Sequence, residues 1–184
     1  MPRSTGTRGG RGAARALELL RAGTPREVLA RIVPDDPLRI RRVVAVRLRA
    51  RGLLLDADQV LLRALARVAR AAVHYRGRPA LGTWLEGRVD EALDEILAAQ
   101  AAGRPAAPAA SAANGPPGAV ELLARRIGLD PEATRRALAR FHALPYAERD
   151  AFFRLVVEGE PAAGEKTRLA RRAFDALLSA RRAQ

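Results

Sequence analysis

An all-α fold is predicted for this chain, and three observations predict it. Helix-start signals and stop residues recur in pairs along most of its 184 residues. Between each pair, apolar side chains return at three-to-four spacing, the period of one helix face. Aromatics make up only 4% of the chain, so its core must be built from Leu, Ala and Val. The organisation expected is a disordered basic tail over 1–12, a helical domain over 13–102, a Pro/Ala/Gly-rich linker over 103–118 and a second helical domain over 119–184.

The tail holds Arg8-Gly9-Gly10-Arg11-Gly12, flexible by composition. A first helix is expected over 14–22, with Leu17, Leu19 and Leu20 as its apolar set and Gly23 closing it. Thr24-Pro25-Arg26-Glu27 is a capping box with Pro at the first helical position, so a helix should run from Pro25 to about Val33. Asp36-Pro37 repeats the start signal, and Ile40, Val43, Val44 and Leu48 follow at helical spacing until Gly52. Alternation across Val44, Val46 and Leu48 admits a strand, but the cap at one end and the glycine at the other favour helix. Asp56 caps the next helix, whose stripe is Val60, Leu61, Ala64, Leu65 and Val68. Tyr75-Arg76-Gly77-Arg78-Pro79 breaks the pattern.

From Leu81 a longer helix carries Trp84, Leu85, Val89, Ala92, Leu93, Ile96 and Leu97 on one face. Its other face is acidic, with Glu86, Asp90, Glu91, Asp94 and Glu95. The linker is marked by Pro105, Pro108, Pro116 and Pro117 and has no periodicity. Four helices are expected beyond it: over 119–127, over 131–143 behind the cap Asp130, over 145–158 ended by Gly159, and over 164–180.

Charge points to an anionic partner. Basic residues number 33 against 20 acidic ones, a net charge of +13, and all but Lys166 are arginine. The excess is uneven: +9 over 1–52, −1 over 53–100 and +4 over 119–184. Such asymmetry favours nucleic acid ahead of a membrane surface. Cysteine is absent, which excludes disulfides, Cys-ligated zinc, iron–sulfur clusters and thiol catalysis. No apolar run approaches the roughly 18 residues of a membrane-spanning helix. The first dozen residues are basic and Gly-rich with no apolar stretch behind them, unlike a secretory signal. A soluble cytoplasmic protein is expected.

Enzyme chemistry is not expected. His74 and His142 are the only histidines, and they fall in different predicted domains. The carboxylates between Glu86 and Glu95 have the spacing to hold a hard cation, yet no Gly-bearing calcium loop and no histidine accompany them. A solvated helix face is the simpler reading. Neither a Gly-rich phosphate loop with Lys nor a nucleophile elbow is present, so neither metal nor cofactor is expected.

The stretch from Arg47 to Leu97 resembles the core-binding and promoter-melting domain of bacterial RNA polymerase sigma factors, particularly the extracytoplasmic-function group. The matching residues are Arg47-Leu48-Arg49-Ala50-Arg51-Gly52, then Asp56-Ala57-Asp58, Tyr75-Arg76-Gly77 and Leu81-Gly82-Thr83-Trp84-Leu85. In that family an acidic helix start, an aromatic-Arg-Gly turn and a Thr-Trp-Leu helix start occur in this order. Farther on, Leu144-Pro145, Glu148-Arg149 and the apolar run from Phe152 to Glu158-Gly159 are similar to the helix that opens the promoter-recognition domain. Lys166-Thr167-Arg168-Leu169-Ala170-Arg171 resembles the start of its DNA-reading helix.

The resemblance implies a sigma-factor-like transcription protein whose partners are the RNA polymerase core and DNA, with an anti-sigma or other regulatory protein as a further partner. Asp56, Asp58, Leu62 and Arg63 would lie on the polymerase-docking helix. Arg76 and Arg78 would lie near the melted strand, and Lys166, Arg168, Arg171 and Arg172 would touch DNA. Three features depart from the family's pattern. Leu62 and Arg63 stand where it carries a Gln-Glu pair, and the helix after Trp84 is acidic where the family's is basic. Only Glu160 to Gly164 separates Gly159 from the Glu165-Lys166 block, where the family places a scaffold helix. These departures define the alternative, a sigma-like decoy or regulator without sequence-specific DNA binding.

Overall fold

The computed structural model describes residues 15–21, 23–102 and 130–179. Among them every regular element is helical. A helical segment over 15–20 (α1) is followed by α2 (Pro25–Ile32), α3 (Ile40–Ala50), α4 (Ala57–Ala72) and α5 (Leu81–Ala101). Then come α6 (Pro131–His142), α7 (Tyr146–Phe152) with a π-helical turn over Phe153–Val157, and α8 (Gly164–Leu178). The tail, the linker over 103–118, the helix expected over 119–127 and Ala180 onward lie outside the described residues.

Local chemistry sets the helix ends. The Thr24 hydroxyl accepts from the Glu27 N–H at 3.3 Å, and the Glu27 carboxylate accepts from the Thr24 N–H at 2.9 Å. Two of the donors that the start of α2 leaves orphaned are thereby satisfied. The helix expected behind Asp36-Pro37 starts only at Ile40. Asp36 has a positive φ of 43°, and its carboxylate reaches forward to the N–H groups of Ile40 (2.7 Å) and Arg41 (3.0 Å). The strand alternative over Val44–Leu48 is not taken; α3 covers it.

The helix expected over 145–158 changes character part-way. From Phe153 its turns widen, and the Glu158 N–H donates to the Phe153 carbonyl at 2.9 Å, the five-residue spacing of a π turn.

The chain divides into two compact units, each assembled from two stretches. Unit 1 joins Met1–Val44 to Val60–Ala92, and unit 2 joins Ala45–Gln59 to Leu93–Gln184. The division falls within α3 and within α5.

In unit 1, α4 buries Val60, Leu61, Ala64, Leu65 and Val68, the stripe read from the sequence. Trp84 is 9% exposed and stacks on Tyr75, with ring centroids 4.5 Å apart. The Tyr75 hydroxyl donates to the Pro79 carbonyl at 2.9 Å, which ties down the turn between α4 and α5. Gly77 makes that turn with φ of +87°, a conformation that side-chain-bearing residues rarely adopt.

Unit 2 is centred on Phe141, Phe152 and Phe153, packed with Ala133, Ala137, Leu138, Ala173 and Leu177. Phe141 meets Phe152 edge-on at 5.2 Å. Gly52 closes α3 with φ of +59°, and a Cβ there would stand 3.2 Å from the Arg149 Cβ. Both the backbone angle and the lack of room require glycine at this position.

Candidate functional site

The residues expected to meet polymerase sit at the start of α4. Asp56 spends its carboxylate on the fold: it accepts from the Asp58 N–H at 2.9 Å and the Gln59 N–H at 3.3 Å, capping the helix. Asp58 is exposed in the first turn of the helix. A turn later Leu62 is 51% exposed, with Arg63 half-buried beside it.

Arg76 and Arg78 are exposed on the turn that Tyr75 and Trp84 secure. The Arg76 guanidinium donates locally, to the Val73 carbonyl at 2.9 Å. Turn rigidity here is a product of packing, and the two cations ride on it.

The third set lies on α8. That helix is anchored by Ala170, Ala173 and Leu177, buried at three-to-four spacing. Its anchored face leaves Arg168, Arg171 and Arg172 turned outward and exposed. Two of the four expected cations have acidic neighbours: Lys166 Nζ stands 3.5 Å from Glu160, and Arg172 Nη1 stands 3.3 Å from the buried Glu148. Among the described residues Arg168 and Arg171 make no ion pair. Phe174, 42% exposed, adds an apolar edge to this surface.

The acidic face of α5 is not simply solvated. Glu91 pairs with Arg67 at 3.1 Å and with Arg88 at 2.6 Å, and Asp94 pairs with Arg51 at 2.6 Å. Arginines of the fold itself neutralise part of the charge that would otherwise repel phosphate.

Two polar assemblies in unit 2 have no counterpart in the sequence reading. Arg49, on α3, clasps Glu158 through Nε and through Nη2 (2.9 Å), donates to Asp150 through Nη1 (3.0 Å), and lies 5.5 Å from the Phe153 ring centre. Asp150 also accepts from Arg154 Nε at 2.8 Å. Hydrogen bonds to Glu158 and Asp150 raise the Arg49 pKa. Partial burial pushes the Asp150 carboxyl up, but the Arg49 hydrogen bond and the Arg154 charge outweigh it and leave the group below the usual carboxylate range. The Glu158 carboxyl is likewise held low, chiefly by its Arg49 hydrogen bond.

The second assembly is centred on His142, at the end of α6. Its Nε2 accepts from the Leu54 N–H at 3.1 Å, so Nδ1 carries the proton and donates to Gln100 Oε1, also at 3.1 Å. Burial, reinforced by the Arg149 charge, lowers the ring's pKa to about 4. His142 is therefore a neutral fastener joining three segments of unit 2. His74, by contrast, is exposed. Of these contacts only Asp150–Arg154, at i,i+4, is local in sequence, and the sequence reading did not single it out.

No protein-family model, curated protein or solved structure matches this chain. Among the described residues no helix is long and apolar enough to cross a membrane, and no cluster of His, Asp or Glu has the grouping of a metal site.

Proposed function

We propose that this chain is a sigma-factor-like transcription protein that binds the RNA polymerase core and contacts promoter DNA. The observation that carries the reading is the outward face of α8, where Arg168 and Arg171 are exposed on a helix anchored by Ala170, Ala173 and Leu177. A rigid helix presenting arginines suits phosphate and base-edge contacts, since the guanidinium fork matches both. Arg76 and Arg78, on a turn held by the Tyr75–Trp84 stack, supply a second set of cations. No enzymatic step is part of this function.

The alternative is a sigma-like interaction protein without sequence-specific DNA binding. Leu62 favours it, being 51% exposed on α4 with an arginine beside it where the family carries a Gln-Glu pair.

Co-purification with core polymerase, with DNA binding measured on the same sample, separates the two. The proposal expects stoichiometric polymerase binding and tighter binding to a promoter pool than to random DNA at matched salt. Polymerase binding with no preference between the pools selects the interaction protein. Loss of both activities overturns the sigma-like reading.

A further inference from the structure

Arg149, on α7 in unit 2, is a half-buried arginine without a counter-charge. Among the described residues its side chain makes no hydrogen bond and no ion pair. Of its three nitrogens only Nε is both buried and unpartnered, which leaves the Nη edge of the fork open to a ligand. A buried cationic N–H that is not hydrogen-bonded is costly, so a group of this kind in a folded chain is a candidate ligand contact.

Packing holds the side chain in this position. A Cβ on Gly52 would stand 3.2 Å from the Arg149 Cβ, so the chain leaving α3 lies flat against the base of the arginine. Arg51, the residue before Gly52, is thereby brought close. Burial, reinforced by the Arg51 charge, lowers the Arg149 pKa, and Tyr146 offsets this only in part.

The neighbouring acids are engaged elsewhere. Asp94 pairs with Arg51 at 2.6 Å, Asp150 with Arg49 and Arg154, and Glu148 with Arg172 at 3.3 Å. The His142 ring is neutral and bonded at both nitrogens, so it brings no counter-charge either. The Asp94 side chain is 65% exposed, and solvent weakens what it takes from the Arg51 charge.

The number of oxygens selects the ligand. A carboxylate has two, which a single guanidinium fork fills. A phosphate group has more, enough to accept from one fork and still face a second cation.

We propose that Arg149 and Arg51 form a site for a phosphate group, Arg149 donating from its Nη edge and Arg51 adding its charge. The phosphate belongs to a nucleic-acid backbone or is free in solution, and the site's chemistry is the same for both. The site is separate from the cations of α8 and stands whether or not those cations contact DNA.

Inorganic phosphate is the probe, titrated into the full chain against chloride at matched ionic strength. Binding is read from the arginine Nε–Hε NMR signals, the one lost in Arg149→Gln being that of Arg149. The expected result is a saturable shift of this signal, with phosphate at least about tenfold tighter than acetate. Arg149→Lys keeps the charge without the fork and should weaken phosphate about tenfold. Phosphate should raise the Tm of the parent and leave that of Arg149→Gln unmoved. In chloride, Arg149→Gln should unfold at the parent's temperature or above it, because an uncompensated cation has been removed. Arg70→Gln, the same charge change on α4, should keep the full response to phosphate.

A DNA titration separates the two sources. With backbone phosphate as the ligand, Arg149→Gln makes the slope of log affinity against log salt shallower by roughly 0.9, and inorganic phosphate competes with DNA. With free phosphate as the ligand, that slope is unchanged and the phosphate shift persists with DNA bound. Equal affinity for acetate and phosphate overturns the proposal, as does a phosphate-dependent rise in Tm that survives Arg149→Gln. Unfolding of Arg149→Gln well below the parent in chloride overturns it as well, and would make Arg149 a structural strut.

Discussion

Unit 1 and unit 2 are held by different kinds of contact. Unit 1 is fastened by apolar burial, with the α4 stripe and the Trp84–Tyr75 stack as its largest pieces. Unit 2 has its own phenylalanine core, but it adds long-range polar fasteners: Arg49 to Asp150 and Glu158, and His142 to Leu54 and Gln100. Apolar burial depends little on pH or salt. A half-buried neutral histidine responds to pH, and a set of ion pairs responds to salt. Unit 1 has ion pairs as well, Glu91 with Arg67 and Arg88, but the histidine fastener that titrates at about 4 belongs to unit 2.

The largest test of that contrast is Trp84→Ala. Removing a 9%-exposed indole that stacks on Tyr75 should cost roughly 3–5 kcal/mol in denaturant titrations, by a similar amount at neutral and mildly acid pH. A loss below about 1 kcal/mol would mean that the ring is not structural.

His142 gives the next largest effect, and its sign follows from linkage. The folded ring titrates at about 4, below its ordinary value of 6.5. As pH falls below 6.5 the unfolded chain takes the proton first, so stability is fully present above that pH and declines as pH drops toward 4. The loss should reach roughly 3 kcal/mol at the bottom of this window, by the value of one pKa unit. His142→Gln should flatten the decline. A stability profile that is level from pH 7 to pH 4.5, by about 0.5 kcal/mol or better, would remove the fastener from the account.

Thr24→Ala breaks the capping box of α2 and should cost about 1 kcal/mol, in unit 1 and independent of pH. The smallest effect belongs to the exposed side of unit 2. A double-mutant cycle on Arg49→Met and Asp150→Asn should give a coupling of about 0.5–1 kcal/mol that shrinks in high salt. Coupling that is unchanged by salt would place this pair out of reach of solvent.

The two kinds of contact also differ in how far they can be read from sequence. Thr24-Pro25-Arg26-Glu27, Asp56 and Asp130 each announced a helix start that the backbone N–H groups then use. Apolar spacing placed Val60, Leu61, Ala64, Leu65 and Val68 on one buried face, because helix periodicity is a local property. The Arg49–Glu158 pair is not local: 109 positions separate its members, and nothing in either segment marks the other. The grouping of residues 45–59 with 93–184 is hidden for the same reason. Asp36 shows a milder limit, since a start signal was legible but its reach to Ile40 depends on an unusual backbone angle.

In the candidate site, the cations of α8 were singled out through the resemblance of residues 166–171 to a DNA-reading helix, and their exposure follows from the buried Ala170, Ala173 and Leu177. Their acidic neighbours were not, because Glu148 and Glu160 come from α7 and the loop after it.

The central claim is that α8 presents the DNA-contacting cations, and the salt dependence of DNA binding tests it most directly. Each phosphate neutralised by an arginine contributes about −0.9 to the slope of log affinity against log salt. Arg168→Ala combined with Arg171→Ala removes two such contacts without touching the anchoring residues of α8. The account predicts a slope shallower by roughly 1.8, with the helical circular dichroism unchanged. An unchanged slope, in a variant that is still folded, would contradict it and place the DNA face elsewhere on the chain.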